Sequence, residues 1–184
     1  MTRTIRTMDL GGAHAVILHR PHAVLTALTR QLHAVGLRVT TCWPKLGGEA
    51  VAADFVFFDA DMGFDDQFPW PPEATPMPLI ALIGSEAPGR IEWALTRGAH
   101  AQILKPVGDG GVYSALLIAR HAFETRRALS INVADLRRRL GERETVVRAV
   151  LLLIEETGSE KAAYNALRQE AMKARIDLEA AAAR

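Results

Sequence analysis

Near the C-terminus, Lys161, Tyr164, Arg168 and Arg175 recur at spacings of three, four and seven, which on a helix sets them along one stripe. Cationic groups meet phosphates and an aromatic ring stacks on an unpaired base, so this stripe suits a single-stranded loop better than a duplex groove. The alternative is a solvated charged face with Tyr164 turned into the core. Far upstream, Asp59 ends the apolar run DFVFFD and Lys105 ends AQILK. Catalytic constellations are missing: His14, His19, His22, His33, His100 and His121 have no metal-ligand spacing, and the chain has no glycine-rich phosphate loop or nucleophile motif. The expectation is a protein that is not an enzyme and that uses neither cofactor nor metal.

The chain's 184 residues, 49% of them hydrophobic, suffice for one ordinary domain, or for a small domain with a helical extension. A single cysteine, Cys42, excludes an internal disulfide framework and a cysteine-based zinc site, and fits a reducing cytoplasm. No apolar run approaches the ~18–20 residues of a membrane span, and MTRTIRTMDLGG has two arginines with no apolar signal core behind them. A soluble bacterial cytoplasmic protein without membrane association is therefore expected. The net charge of +1 hides a division: residues 1–118 carry 9 Lys/Arg against 11 Asp/Glu, whereas 119–184 carry 13 against 10.

Five short apolar runs must position these groups: HAVILH (14–19), LRVTTCW (37–43), DFVFFD (54–59), PLIALIG (78–84) and AQILK (101–105). Bounded by Gly, Pro or Asp and rich in Val, Ile and Phe, they read as buried parallel strands. Helix patterns lie between them at 22–36, briefly near 46–52, and at 88–98. The alternation predicts a flavodoxin-like, doubly wound α/β sheet with functional groups at the carboxyl ends of its strands. After the third strand, GFDDQFPWPPEATPMP contains five prolines, which predicts a loop, with room for one helical turn, in place of an ordinary helix. Phe68 and Trp70 in that loop either cover the sheet or stand out as anchors for a partner.

From Gly108 the strand patterns stop, and beyond Gly111 only Gly141 interrupts the run to Gly158. A helix over 109–157 would be roughly 70 Å long, too long for one small globule to cover, and must find a partner helix. Placing Ala119, Arg126, Val133, Leu140, Val147 and Ile154 at heptad a puts Ala122, Leu129, Leu136, Arg143 and Val150 at d, with nine of the eleven apolar. That pattern fits a parallel dimeric coiled coil through Leu129, Val133, Leu136, Leu140, Val147 and Val150. Two shorter helices broken near Gly141 and packed within one chain are the alternative. Beyond it, Gly158 ends the helix, Ser159 caps the next, with Ala163, Ala166, Leu167 and Ala171 facing inward, and a third short helix spans Asp177 to Ala183.

The N-terminal pattern, about 105 residues, resembles the receiver domains of two-component response regulators. The family's phosphoryl-accepting aspartate falls on Asp59, and its lysine on Lys105 of ILKP. The resemblance implies two acids at the end of the first strand for magnesium and a hydroxyl at the end of the fourth. The chain instead has His19 and Arg20 at the first and Ile83 at the second. An imidazole and a guanidinium do not hold a hard cation, so this is expected to be a pseudo-receiver that works without phosphate. Asp59 is then free to pair with Arg20 or Lys105 and close the site, while Asp61 leaves open some residual metal binding.

The tail, LLL…GSEKAAY…ALRQEAMK, resembles the ANTAR domain, the three-helix RNA-binding unit of bacterial antiterminators. The order of pseudo-receiver, coiled coil and ANTAR-like unit is similar to the AmiR/NasT group. It implies four parts: a flexible N-terminus 1–12, a pseudo-receiver 13–120, a coiled-coil segment 121–142 and an ANTAR-like RNA-binding domain 143–184. Further implied are a homodimer that binds leader RNA stem-loops and prevents a terminator hairpin from forming, and a ligand-sensing regulatory protein as partner. One departure from the pattern is that Arg148-Ala149 stands where the family has Ala-Lys, moving the charge about 100° around the helix. The RNA-contacting candidates are thus Arg148, Lys161, Tyr164, Arg168, Lys173 and Arg175. A protein-interaction adaptor whose tail has lost RNA binding is the alternative, and a DNA-binding response regulator is disfavoured by the lack of a helix-turn-helix.

Overall fold

The computed structural model describes residues 10–184, apart from the side chains of Glu49 and Glu73. Residues 1–9, most of the expected flexible N-terminus, lie outside the described residues, whereas Leu10 is buried in the core. The described chain forms two compact units that divide after Arg126.

In the first unit the strands are β1 (His14–Leu18), β2 (Arg38–Cys42), β3 (Phe55–Asp59), β4 (Leu79–Ile83) and β5 (Ala99–Leu104). They pair in parallel in the order β2-β1-β3-β4-β5. The all-apolar runs FVFF and LIALI explain why β3 and β4 are buried along their whole length at the centre, while β2 and β5 form the edges.

Period-two alternation splits the core in two. Ile17, Phe55, Phe57, Ile80 and Leu82 face α1 (Ala23–Ala34) and the start of α3 (Val112–Thr157). Val16, Leu18, Val56, Phe58, Leu79, Ala81 and Ile83 lie on the other face, which receives Ala94 of α2 (Pro88–Thr96). The proline-rich connection folds as two single 3₁₀ turns, Asp65–Gln67 and Pro72–Ala74. Phe68 is buried and meets Phe58 edge-on at 5.3 Å, with Trp70 half-buried against it, so both rings cover the sheet.

Helix α3 begins at Val112, not at 109, because the Asp109-Gly110-Gly111 turn precedes it, with Gly111 at φ +94°. It then runs unbroken through Gly141 for 46 residues, so the broken-helix alternative does not occur. Gly158, at φ +74°, ends it, and the Ser159 side chain accepts the Ala162 N–H to open α4 (Glu160–Ala174). Asp177 caps α5 (Leu178–Ala182) through the Ala180 N–H at 2.7 Å. In the second unit Val150, Ala163, Leu167, Ala171 and Ala181 form the buried core, joined by Val146, Leu153 and Ile176 at its margin.

Candidate nucleic-acid interface and the acceptor-site remnant

At the carboxyl end of the sheet, Asp59 is only 2% exposed. Its Oδ1 accepts from Lys105 Nζ at 2.7 Å, and its Oδ2 lies 3.2 Å from His19 Nε2. The His19 ring is fixed from behind, because its Nδ1 sits 2.6 Å from the Arg20 carbonyl, which can only accept and so requires the proton on that nitrogen. Nε2 itself is buried and outside hydrogen-bond geometry with any neighbour. Arg20 is exposed and forms no ion pair among the described residues, so of the two expected partners of Asp59 it is Lys105 that pairs with it, and the His19 ring, not Arg20, lies alongside the carboxylate. The reason is direction: β1 ends at Leu18, and it is the next side chain, His19, that turns inward. Ile83 is buried among apolar neighbours on the α2 side.

Asp61 is engaged within the chain. It takes Lys105 Nζ at 2.6 Å, the Gly84 N–H at 2.7 Å and the Ser85 N–H at 3.2 Å. Burial pushes its carboxyl up, but hydrogen bonds from Lys105, Gly84 and Ser85 and the lysine charge together hold it below the ordinary aspartate value. Among the described residues no group of three or more His, Cys, Asp or Glu is placed to hold a metal ion.

On α4, Lys161, Tyr164 and Arg168 are exposed on one stripe, and Arg175 follows directly after the helix. Tyr164 is 44% exposed, which excludes the reading that turns it into the core. Met172, 70% exposed, sits four residues beyond Arg168 on the same stripe, and sequence reasoning passed over it because a methionine carries no charge signal. Lys173 falls about 100° away from Met172. Arg148 is exposed too, but it lines a cavity of about 540 Å³ with Leu152, Ala166 and Glu170. Ala166 and Glu170 lie on the side of α4 away from Arg168, so the six candidates do not form one surface.

Leu129, Val133, Leu136, Leu140 and Val147 are all exposed along α3. Val150 departs from the expected seam: it is 8% exposed and packs in the core of its own bundle. The exposed row continues instead through Leu151, four residues after Val147, because a straight 3.6-residue helix drifts from a strict heptad.

Residues 13–120 match the AmiR N-terminal domain family, and residues 134–184 match the ANTAR domain. The chain belongs to the AmiR/NasT-type ANTAR antiterminators. The aliphatic amidase regulator of Pseudomonas aeruginosa is 29% identical to this antiterminator over 164 residues, covering 87% of this chain and 84% of that one. Among solved structures, a response regulator receiver protein from Burkholderia phymatum is similar at 24% identity and a TM-score of 0.43, covering 59% of this chain and 98% of that one. The chemotaxis protein CheY4 of Vibrio cholerae stands at 18% identity and a TM-score of 0.47, with 59% and 99% covered. No described helix of the antiterminator is long and apolar enough to cross a membrane.

Sequence reasoning also missed the part played by Gly84 in the antiterminator's first unit. A Cβ there would lie 2.6 Å from Asp61 Oδ2, so the residue after β4 must be small for the carboxylate to reach the amides. A glycine directly after an apolar strand was the available signal, but it says nothing about which side chain would fill the space.

Proposed function

We propose that this antiterminator works as a dimer, joined along the apolar row of α3, whose two α4 stripes bind stem-loops of a leader transcript and so keep a terminator hairpin from forming. The observation that carries the reading is the exposed Lys161–Tyr164–Arg168 stripe within the ANTAR unit. The cations meet loop phosphates and the tyrosine stacks on an unpaired base. Control comes from a ligand-sensing partner protein in the bacterial cytoplasm, and the pseudo-receiver serves as a contact surface that needs no phosphate. Sequestration by such a partner needs only a few kcal/mol of preference for the RNA-free state.

An electrophoretic titration of the full chain against a leader stem-loop and against duplex DNA, repeated over a range of salt, tests the reading. Expected is retention of the stem-loop alone, weakening steeply with salt. An intact dimer that retains neither nucleic acid would favour the adaptor reading, whose specific support is the separation of Arg148 from the α4 stripe. Acetyl phosphate with magnesium is expected to add no mass to the chain.

A further inference from the structure

The second unit contains a cavity of about 540 Å³ to which α3, α4 and α5 all contribute. Its walls are Leu152 and Leu153 of α3, Ala166 and Leu167 of α4, and Ala181 and Ala182 of α5. The space exists because the alanines of the two shorter helices are too small to fill the gap to the leucines opposite. Water held there would find few polar partners, so an apolar group gains by replacing it. Three charged side chains also line the cavity: Arg148, Arg184 and Glu170. None of the three is in an ion pair among the described residues, so two guanidinium groups stand against one carboxylate and the lining is net cationic. The cavity also lies clear of the dimer row and the RNA stripe. Arg148 and Leu152 stand about 100° around α3 from Val147 and Leu151, and Ala166 and Glu170 stand about 160° around α4 from Tyr164 and Arg168.

We propose that this cavity binds a small amphipathic acid: a free monocarboxylate whose aliphatic or aromatic body fills the space between leucines and alanines while its carboxylate meets Arg148. The charges set the class. An apolar amine would bring its cation to two guanidinium groups, and a neutral hydrocarbon would leave Arg148 without a partner. Glu170 opposes any anion, so it tempers the affinity and favours one negative charge over two. The volume falls within the roughly 300–1,000 Å³ of small-molecule sites. Because the lining is drawn from three helices, an occupant braces the bundle from the side opposite the α4 stripe. Arg148, which stands off that stripe, thereby has a ligand of its own. The inference does not rest on RNA binding, and its main readout does not involve RNA.

The test titrates octanoate into the full chain at neutral pH, with leucine and alanine methyl groups labelled for magnetic resonance. Expected are shifts at Leu152, Ala166 and Ala182 but not at Leu136, saturating with a Kd on the order of 0.1–1 mM. Octylammonium, with the same chain and the opposite charge, is expected to bind about tenfold more weakly or less. Arg148→Met keeps an apolar stem without the charge and should weaken octanoate about tenfold, whereas Glu170→Gln should tighten it several-fold. Ala166→Leu fills the cavity and should abolish the response. If that variant does not fold, the opposed effects of Arg148→Met and Glu170→Gln, both at exposed positions, decide the matter. Saturating octanoate should leave retention of a leader stem-loop unchanged, and displacement of the RNA would assign the cavity to a nucleotide and overturn the proposal. It would also be overturned by equal binding of octanoate and octylammonium, by shifts spread along the apolar row of α3, or by undiminished affinity in Arg148→Met.

Discussion

His100 Nδ1 accepts the backbone N–H of Leu79 at 3.2 Å, so a side chain of the edge strand β5 satisfies the first residue of β4. The ring also meets Phe123 edge-on at 5.4 Å. Burial, with the nearby Arg126 charge second, lowers its pKa from 6.5 to about 4. Protonating Nδ1 would remove the acceptor and set a cation beside Arg126.

The sign of the resulting pH dependence is fixed. Between pH 6.5 and about 4 the unfolded chain takes up a proton at His100 and the folded chain does not, so stability is full above that window and falls as the pH drops through it. Between pH 7.5 and 5 the loss attributable to this group should be on the order of 1–2 kcal/mol. His100→Asn keeps an acceptor near the Nδ1 position but does not titrate. Urea unfolding at both pH values should show the variant losing less stability than the wild type by about that amount, and parallel losses would dismiss His100 as the source.

The apolar row of α3 and the bundle core respond differently to substitution. Leu136 and Leu140 are exposed within one chain, so Leu136→Glu should leave the unfolding temperature of a dilute, monomeric sample nearly unchanged while weakening self-association by at least tenfold. Val150→Ala should do the opposite, because it cuts into the buried core of the second unit: roughly 1–2 kcal/mol less stability, with association retained. Sedimentation equilibrium and denaturant unfolding on both variants separate the effects.

Arg168 and Arg148 face different surroundings, and RNA affinity should distinguish them. Arg168→Ala removes a cation from the centre of the α4 stripe and is expected to weaken stem-loop binding about tenfold, with a shallower dependence on salt. Arg148→Ala, on the cavity with Glu170, is expected to change affinity less than twofold. Equal losses would mean that the RNA wraps around the bundle instead of lying on one stripe.

The architecture was readable because periodicity is local: FVFF and LIALI announce central strands, and the proline-rich segment excludes a helix where receivers usually have one. What depended on side-chain direction across the fold was not. That His19 and not Arg20 lies against Asp59 requires knowing where β1 ends, and Asp61 finds its amides 23 and 24 residues further along the chain. Val150 and Leu151 compete for the seam, and the contacts of Val150 with its own bundle decide between them, which a heptad count does not include. Arg148 shows the same limit, since its place around α3 was legible but the face of α4 it meets was not.

Arg175 ends α4 in the left-handed region at φ 56°, a conformation that favours glycine and strains a side chain with a Cβ. Its N–H reaches the Met172 carbonyl, and the Ile176 N–H that follows reaches Ala171, so the turn is fixed by backbone bonds and does not need the arginine. Arg175→Gly should therefore stabilise the second unit by about 0.5–1 kcal/mol. If the guanidinium also extends the α4 stripe to a phosphate, the same substitution should weaken stem-loop binding several-fold, most visibly at low salt. Greater stability with lower affinity in one variant is the expected outcome, read from denaturant unfolding and the electrophoretic titration. A gain in stability with unchanged affinity would leave the strained arginine without a part in RNA binding and end the stripe at Met172.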